Sequence, residues 1–365
     1  MSAALPQKMH LLDLSDGQLE AWLAERDQPA FRARQIRRWL FASRATDFAD
    51  MTDLPAGLRD QLAADFRLWT TGVAAHHVDP DGTEKLLFEL ADGQQIESVL
   101  LRDGTRRTIC ISTQVGCAMG CVFCATGLDG VVRNLTRGEI VEQMLRLARL
   151  LPPGEGHAPA ERLSHIVVMG MGEPLANLDA LLPALGEAES KDGLGISPRR
   201  ITISTVGLPA AIDRLSDLGT KYNLAVSLHA ADDELRERLV PVGKKIALAD
   251  ILAAADRYFD VSGRRLTFEY VLLAEVNDRE EDARRLARLL AGRGALLNLI
   301  PYNAVAGLPY QTPSEARTRK FIAILERQGV NVQTRRRKGA KIDAACGQLR
   351  RIKGEVPSTV VPLSG

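Results

Sequence analysis

The chain has 365 residues, 25% charged and 45% hydrophobic, with 47 Lys+Arg against 46 Asp+Glu for a net charge of +1. This is the composition of a packed protein with room for one large or two to three smaller domains, and it excludes disordered and fibrous classes. No apolar run approaches the ~20 residues of a bilayer span, and Met1 to Gly17 lacks the basic-then-apolar pattern of a secretory signal, so a cytoplasmic protein without a membrane partner is expected.

The first 80 or so residues read as helical: "DGQLEAWLAE" and "FRARQIRRWLF" each repeat apolar residues at three- and four-residue spacing, with Asp16 as the expected cap of the first helix. Three alternating runs follow, "EKLLFEL", "QQIESVLL" and "RRTICIST", punctuated by Asp81-Gly82, Asp92-Gly93 and Asp103-Gly104. Asp-Gly is a strong hairpin signal, so an antiparallel meander is predicted. From Thr108 the pattern becomes strand, loop, helix, repeated. The strands are "TICIST", "HIVVMG", "RITIST", "LAVSLH", "LTFEYVLL" and "LLNLIPY", separated by helices such as "RGEIVEQMLRLARLL" and "EDARRLARLLAGR". Six alternating βα units imply an α/β fold whose parallel sheet is open or curled into a partial barrel. In such folds functional groups collect at the carboxyl ends of the strands. The insert "PPGEGHAPAE" reads as a surface loop. The implied divisions are 1–80 helical, 81–107 a β-hairpin linker region, 108–310 the βα units and 311–365 a C-terminal extension.

That extension is where the neutral average breaks down. Pro313 to Gly354 holds twelve Lys/Arg against three Asp/Glu, while residues 1–312 hold 35 against 42. A basic tail on a mildly acidic body points to a polyanionic partner, although a basic helix face can equally be just solvated.

The five cysteines are Cys110, Cys117, Cys121, Cys124 and Cys346. An odd number in a chain of intracellular character argues for metal or redox chemistry over a disulfide framework. Cys117, Cys121 and Cys124 form C-x3-C-x2-C directly after the first parallel strand. Structural zinc takes four tetrahedral ligands, usually as two close pairs; here three cysteines stand close and no His is at ligand spacing. Three thiolates suit a 4Fe-4S cluster with one iron left open, with zinc as the lesser alternative. Gly116, Gly120 and Gly127 would let the backbone wrap around it.

This loop after the first strand of a partial βα barrel resembles the radical S-adenosylmethionine (SAM) superfamily. The resemblance implies one 4Fe-4S cluster held by Cys117, Cys121 and Cys124, with SAM chelated at the open iron in a partial (βα)6 TIM-like barrel. Residues at the strand ends would supply the contacts such a ligand needs. They are Gly172 and Glu173 in "MGMGEP", Ser204 in "STVG", Ser227, Leu228 and His229 in "SLH", and Asn303 in "PYN".

A narrower resemblance comes from the ordered set "QVGCAMGCVFCATG", "MGMGEPL", "STVG", "SLHA", "NLIPYN" and "IDAACGQL". It is similar to the RlmN-type dual-specificity RNA methyltransferase family, which makes 2-methyladenosine in 23S rRNA, at the peptidyl-transferase centre, and in tRNA anticodon loops. What the resemblance implies is specific. Cys346 would take a methyl group from one SAM to form S-methylcysteine, and a second SAM in each turnover would supply the radical chemistry. Glu97 would be the proton acceptor, and Cys110 the resolving thiol that makes a transient disulfide with Cys346. The 1–80 region, with Arg32, Arg34, Arg37 and Arg38, would be an RNA-binding accessory domain. "RRRKGAK" (Arg335 to Lys341) would be a mobile basic loop bringing RNA phosphate to the methyl carrier. An electron donor of flavodoxin or ferredoxin type is implied, and a monomer is expected. Gly243, Ile246, Ala340 and Lys341 depart from the family pattern. The nearest rival is a Cfr-type enzyme methylating carbon-8 of adenosine in rRNA, with antibiotic resistance as its consequence. A glycyl-radical activase and a zinc-containing RNA-binding module stand further off.

Overall fold

The computed structural model describes residues 8–153, 160–335 and 337–350. The N-terminal region comprises β1 (Met9–His10), α1 (Asp16–Ala24), α2 (Phe31–Phe41), α3 (Ala56–Asp65) and β2 (Phe66–Arg67), with β1 and β2 paired in parallel. The cap of α1 is Ser15, not Asp16. The Ser15 hydroxyl accepts from the Gln18 N–H and the Gln18 side chain returns the bond, a reciprocal capping box that leaves Asp16 as the first helical residue. The helices bury Leu19, Leu23, Ile36, Leu40, Leu58 and Leu62 against one another and are continuous with the main core.

Four strands follow as an antiparallel meander: β3 (Gly72–Val78), β4 (Glu84–Glu89), β5 (Gln95–Asp103) and β6 (Arg106–Cys110). The strand β3 lies within the stretch read as helical. Its "GVAAHHV" is short of large apolar residues, so the period-2 signal is weak, and pairing along β4 supplies the order.

A small antiparallel pair, β7 (Gln114–Gly116) and β8 (Val131–Asn134), then brackets the cysteine loop. Next come α4 (Arg137–Ala148), β9 (His165–Val168), α5 (Leu178–Glu189), β10 (Ile201–Thr205), α6 (Pro209–Asp217), β11 (Asn223–Ser227), α7 (Asp233–Leu239), α8 (Leu248–Ser262), β12 (Leu266–Leu272), α9 (Glu280–Leu290), β13 (Leu296–Pro301), α10 (Glu315–Arg327) and β14 (Asn331–Thr334). The ten main strands form one sheet, ordered β14-β13-β12-β11-β10-β9-β6-β5-β4-β3. From β6 through β9 to β14 every neighbour is parallel. The six expected parallel strands are therefore present, and β14 is a seventh, at the edge. The meander is no separate linker: β6 belongs to both halves, so residues 72–110 prolong the barrel sheet.

Side chains from distant strands meet across the concave face, which is the mark of a curled sheet. Ser204 on β10 donates to Glu269 on β12 at 3.3 Å, and Arg335, just past β14, reaches the Met169 sulfur just past β9 at 3.5 Å. The chain thus forms a partial TIM-like barrel with a helical N-terminal region and a C-terminal extension. Among the described residues no helix is long and apolar enough to cross a membrane.

The N-terminal region is fixed to the barrel by buried charge. Arg37 on α2 lies 2.5 Å from Glu187 on α5 and also pairs with Asp16, while Arg137 makes a second ion pair with Glu187. Arg37 is therefore a structural strut and not part of an RNA-facing arginine row. Arg38 pairs with Asp53, and Arg32 bonds Gln35 and the Asp53 carbonyl. Of the four arginines, Arg34 stands exposed, with Arg38 beside it around a shallow recess completed by Phe31, Arg162 and Lys191.

Losing Arg37 leaves Glu187 with Arg137 as its remaining partner and frees the solvent-exposed Asp16, at roughly 1–2 kcal/mol. Arg37→Ala should thus lower unfolding free energy by about that amount, whereas Arg34→Ala should stay within ~0.5 kcal/mol. Urea unfolding of both variants checks the contrast.

Candidate active site

The cysteine loop leaves the barrel through a tight neck. The Cys117 N–H donates to the Gly130 carbonyl at 2.9 Å, and Gly116 has φ +79°. A Cβ there would sit 2.0 Å from the Gly130 oxygen, so only glycine closes the neck. The Cys121 carbonyl accepts the Cys124 N–H, folding the loop so that Cys117, Cys121 and Cys124 line one cavity. Burial pushes all three thiols above the ordinary range. No group of three His, Cys, Asp or Glu side chains converges as around a single metal ion among the described residues. Three buried thiols lining one cavity are the donor type a 4Fe-4S cluster takes, and iron binding would deprotonate them.

The same cavity receives Gly170, Gly172, Glu173, Ser204, Ser227, His229 and Asn303 from the ends of the parallel strands, so the structure brings the expected strand-end residues together. Leu228 is the exception. Its side chain is fully buried in the main core, on the other face of the strand. The glycines serve packing as well as access: a Cβ on Gly172 (φ +100°) would meet Gln114 at 2.6 Å.

Glu173 is buried, which raises its pKa, and its two oxygens accept the Val206 and Leu175 N–H groups at 2.9 and 3.0 Å. Its carboxylate is thus already anchored to backbone, with only its remaining lone pairs facing the cavity. His229 has φ +61°, and its Nδ1 accepts the Val271 N–H at 3.0 Å. Burial, then the nearby Arg236 charge, depresses its pKa to about 3, so the ring is neutral with its proton on Nε2.

A second cavity adjoins the first. Cys110, Val99, Leu101, Met169, Arg335, Arg337 and Lys338 are among its lining residues. Cys346, Asn303, Tyr302, Ile300 and Met169 line both cavities, so Cys346 stands in the partition between them. The tail carrying it is held on two sides. On the cluster side, the Ala125 N–H donates to the Gly347 carbonyl at 2.8 Å, and the Asn303 amide donates to the Cys346 carbonyl at 3.1 Å. On the meander side, the Gly339, Lys341 and Arg350 N–H groups donate to Asp81, Asp79 and Glu97 at 3.0, 2.9 and 2.9 Å. Lys341, one of the departures from the family pattern, thus engages through its backbone.

Glu97 lies on β5, facing the barrel interior, 1% exposed and outside the lining of both cavities. Burial raises its pKa and the Lys85 ammonium, 2.8 Å away, opposes the rise. The register made Lys85 findable: it pairs opposite Val99, diagonally from Glu97 on the same sheet face.

Arg335 also corrects the sequence reading. Rather than facing RNA phosphate from a basic loop, it turns inward, 3.8 Å from Glu269 and in contact with Cys346. Arg337 and Lys338 line the second cavity, with Lys338 bonded to the Arg102 carbonyl, and Arg336 lies outside the described residues. Glu269, unremarked in "LTFEYVLL", accepts from Ser204 and Asn298 at 3.3 Å each and lines the first cavity together with Glu173.

Two family models match the chain: the ribosomal RNA large subunit methyltransferase N-terminal domain over residues 9–68 and the radical SAM superfamily over residues 111–287. A probable dual-specificity RNA methyltransferase RlmN from Rhodopirellula baltica is 64% identical over 354 residues, covering 97% of this chain and 94% of that protein. The chain belongs to the RlmN family of radical SAM RNA methyltransferases. An RlmN relative from Symbiobacterium thermophilum is 48% identical over 90% of this chain and 87% of its own length. The crystal structure of a radical SAM methyltransferase from Sphaerobacter thermophilus superposes with a TM-score of 0.88 at 43% identity, covering 94% of this chain and 99% of that one. RlmN membership makes this chain an RNA methyltransferase and implies SAM and a 4Fe-4S cluster, for which the three buried thiols are the fitting donors.

Burial drives the Cys346 thiol upward and the Arg335 guanidinium opposes it. Alkylation needs the thiolate, so Cys346 should react with iodoacetamide only as pH rises past the ordinary thiol range. Arg335→Met should move that rise to higher pH by about one unit. Peptide mass spectrometry across a pH series reads both curves.

Proposed function

We propose that the chain methylates carbon-2 of adenosine in 23S rRNA and in tRNA, with Cys346 as methyl carrier, Cys110 as resolving thiol and Glu97 as proton acceptor. The observation that carries this reading is the position of Cys346 in the partition between two cavities. One cavity holds the three loop cysteines and the polar strand ends; the other holds Cys110 and a cationic wall.

Carbon-2 of adenine is electrophilic, so it does not take a methyl group directly from electrophilic SAM. A nucleophile able to visit both reactants resolves the mismatch. Cys346 as thiolate displaces a methyl group from a first SAM: its sulfur gains the carbon, and S-adenosylhomocysteine leaves with the electron pair. A 4Fe-4S cluster held by Cys117, Cys121 and Cys124 would supply the one-electron chemistry on a second SAM that activates the methyl group on Cys346. Cys346 then presents the activated methyl carbon to the base in the second cavity. Val99, Leu101 and Met169 offer that base an apolar surface, and Arg337 and Lys338 offer its phosphate a cationic one.

Glu97 accepts the carbon-2 proton. Burial, which raises its affinity for a proton, suits it to that task, and the Lys85 ammonium opposes that rise. Its distance from the cavity lining requires the base to enter deeply or a short relay to intervene. The methylene carbon bonds to carbon-2, and the adduct gives up its unpaired electron, which a bound cluster would accept, along with the carbon-2 proton. Cys110 as thiolate then attacks the Cys346 sulfur, so that an S–S bond forms while the product carbon leaves with the sulfur–carbon electron pair. That carbon takes up a proton to become the methyl group, and an external dithiol reduces the disulfide. The Cys110 thiol, pushed up to about 12 by burial and by Cys346, must be deprotonated for its attack, and the Arg335 charge favours it. The relatives' designation as dual-specificity RNA methyltransferases and the N-terminal family match support the choice of both RNAs. A flavodoxin- or ferredoxin-type donor, a monomeric enzyme and a cytoplasmic setting complete the reading.

Mass spectrometry of anaerobically purified protein should find one methyl group on Cys346. Digests of 23S rRNA and tRNA from a host dependent on this enzyme should contain 2-methyladenosine. Cys110→Ala should accumulate a covalent protein–RNA adduct, Cys346→Ala should give neither adduct nor product, and Glu97→Gln should lose roughly 10²-fold or more in turnover. 8-Methyladenosine without 2-methyladenosine, or an unmethylated Cys346 in active enzyme, overturns the reading.

A further inference from the structure

Arg236 on α7 is the bulkiest fully buried side chain among the described residues, 1% exposed. One guanidinium nitrogen donates to the Val206 carbonyl at 2.5 Å. Its Nε and Nη1 are buried without any hydrogen-bond partner, and no salt bridge joins it to a carboxylate among the described residues. A guanidinium held this way is strongly unfavourable unless something anionic compensates it.

Asp233 on the same helix contributes some opposing charge, and Cys121 of the cysteine loop contributes more. Leu235 and Leu239, flanking Arg236 on α7, pack in one apolar cluster with Met119, Phe123 and the three loop cysteines. The Val122 N–H, between Cys121 and Cys124, donates to the Leu239 carbonyl at 3.1 Å, fixing the loop on this helix. The Arg236 charge is felt directly at Cys121 and at His229, which lines the same cavity.

We propose that Arg236 is the buried counter-cation of the iron–sulfur cluster and raises its reduction potential. The inference rests on the cluster reading of Cys117, Cys121 and Cys124. A cluster bound by three thiolates carries net negative charge, and reduction adds one electron from the external donor. Arg236 stays protonated throughout, so the electron enters a site whose extra negative charge is already matched. In a water-poor shell that attraction is weakly screened and falls on the reduced form more than the oxidised one. The orphaned N–H groups are thus the imprint of the cluster's charge, and the Val206 contact fixes the guanidinium in place.

The test is an EPR-monitored redox titration of anaerobically reconstituted wild type, Arg236→Lys and Arg236→Met, without SAM, with iron and sulfide assayed in each. At a fixed applied potential the Met variant should show a reduced-to-oxidised ratio roughly tenfold lower, which is a midpoint ~59 mV lower for one electron. The Lys variant should stay near wild type. A fully loaded Met variant with the wild-type midpoint overturns the assignment. Thermal melting of the metal-free proteins covers the case in which Met fails to load. Metal-free Met should melt above metal-free wild type, because the uncompensated cation is gone; melting below it means Arg236 is only a structural residue. A wild type that takes up no cluster defeats the cofactor reading itself, whereas a loaded wild type with unmoved variants sinks this assignment alone.

Discussion

The site depends on how the C-terminal tail is moored. Cys346 belongs to no helix or strand, and the short stretch around it brings few large apolar side chains of its own. Its position comes from carboxylates of the meander, Asp79, Asp81 and Glu97, that receive tail N–H groups, and from loop and barrel groups that grip the other side. Hydrogen bonds from N–H to an ionised carboxylate are among the stronger ones. Because each tail donor to these carboxylates is backbone, the mooring is indifferent to many tail side chains, which is how Lys341 can depart from the family pattern. The meander therefore does more than extend the sheet: it supplies the anchor for the segment that carries Cys346.

Charge placement explains the rest of the arrangement. Three cations turn inward instead of toward solvent: Lys85 on Glu97, Arg335 beside Glu269 and Cys346, and Arg236 behind the cysteine loop. Lys85 and Arg335 each stand beside a carboxylate, and Arg236 is coupled electrostatically to Cys121. The basic balance of the tail is consequently only partly a surface for polyanions, since Arg335 serves the interior while Arg337 and Lys338 face the second cavity.

Much of the barrel was legible because its strands are β-branched, regularly spaced and separated by amphipathic helices. The cysteine loop was legible because its spacing is chemically restrictive. What escaped did so for physical reasons. The edge strand β14, "NVQT", is mostly exposed and has no apolar run to announce it. Arg37 looked like one of four arginines on a solvated face, because its partner Glu187 is 150 residues away. Glu269 and Arg236 sit in ordinary strand and helix patterns, and only the closure of the barrel reveals that they point at chemistry. Lys85 lay within reach of inference through strand register; Leu228 shows the reverse, a residue at the expected place whose side chain serves the core.

Cys110 ends β6, the strand bonded to a parallel neighbour on one side and an antiparallel one on the other. It is built into the seam of the sheet, where backbone displacement would break two ladders at once. The sulfur of Cys346, by contrast, rides on a short segment tied at a handful of points. Stiffness and compliance are thereby divided between the two sulfurs. One is set in the frame; the other hangs on a tether, and the spacing of its anchors sets how far it can travel.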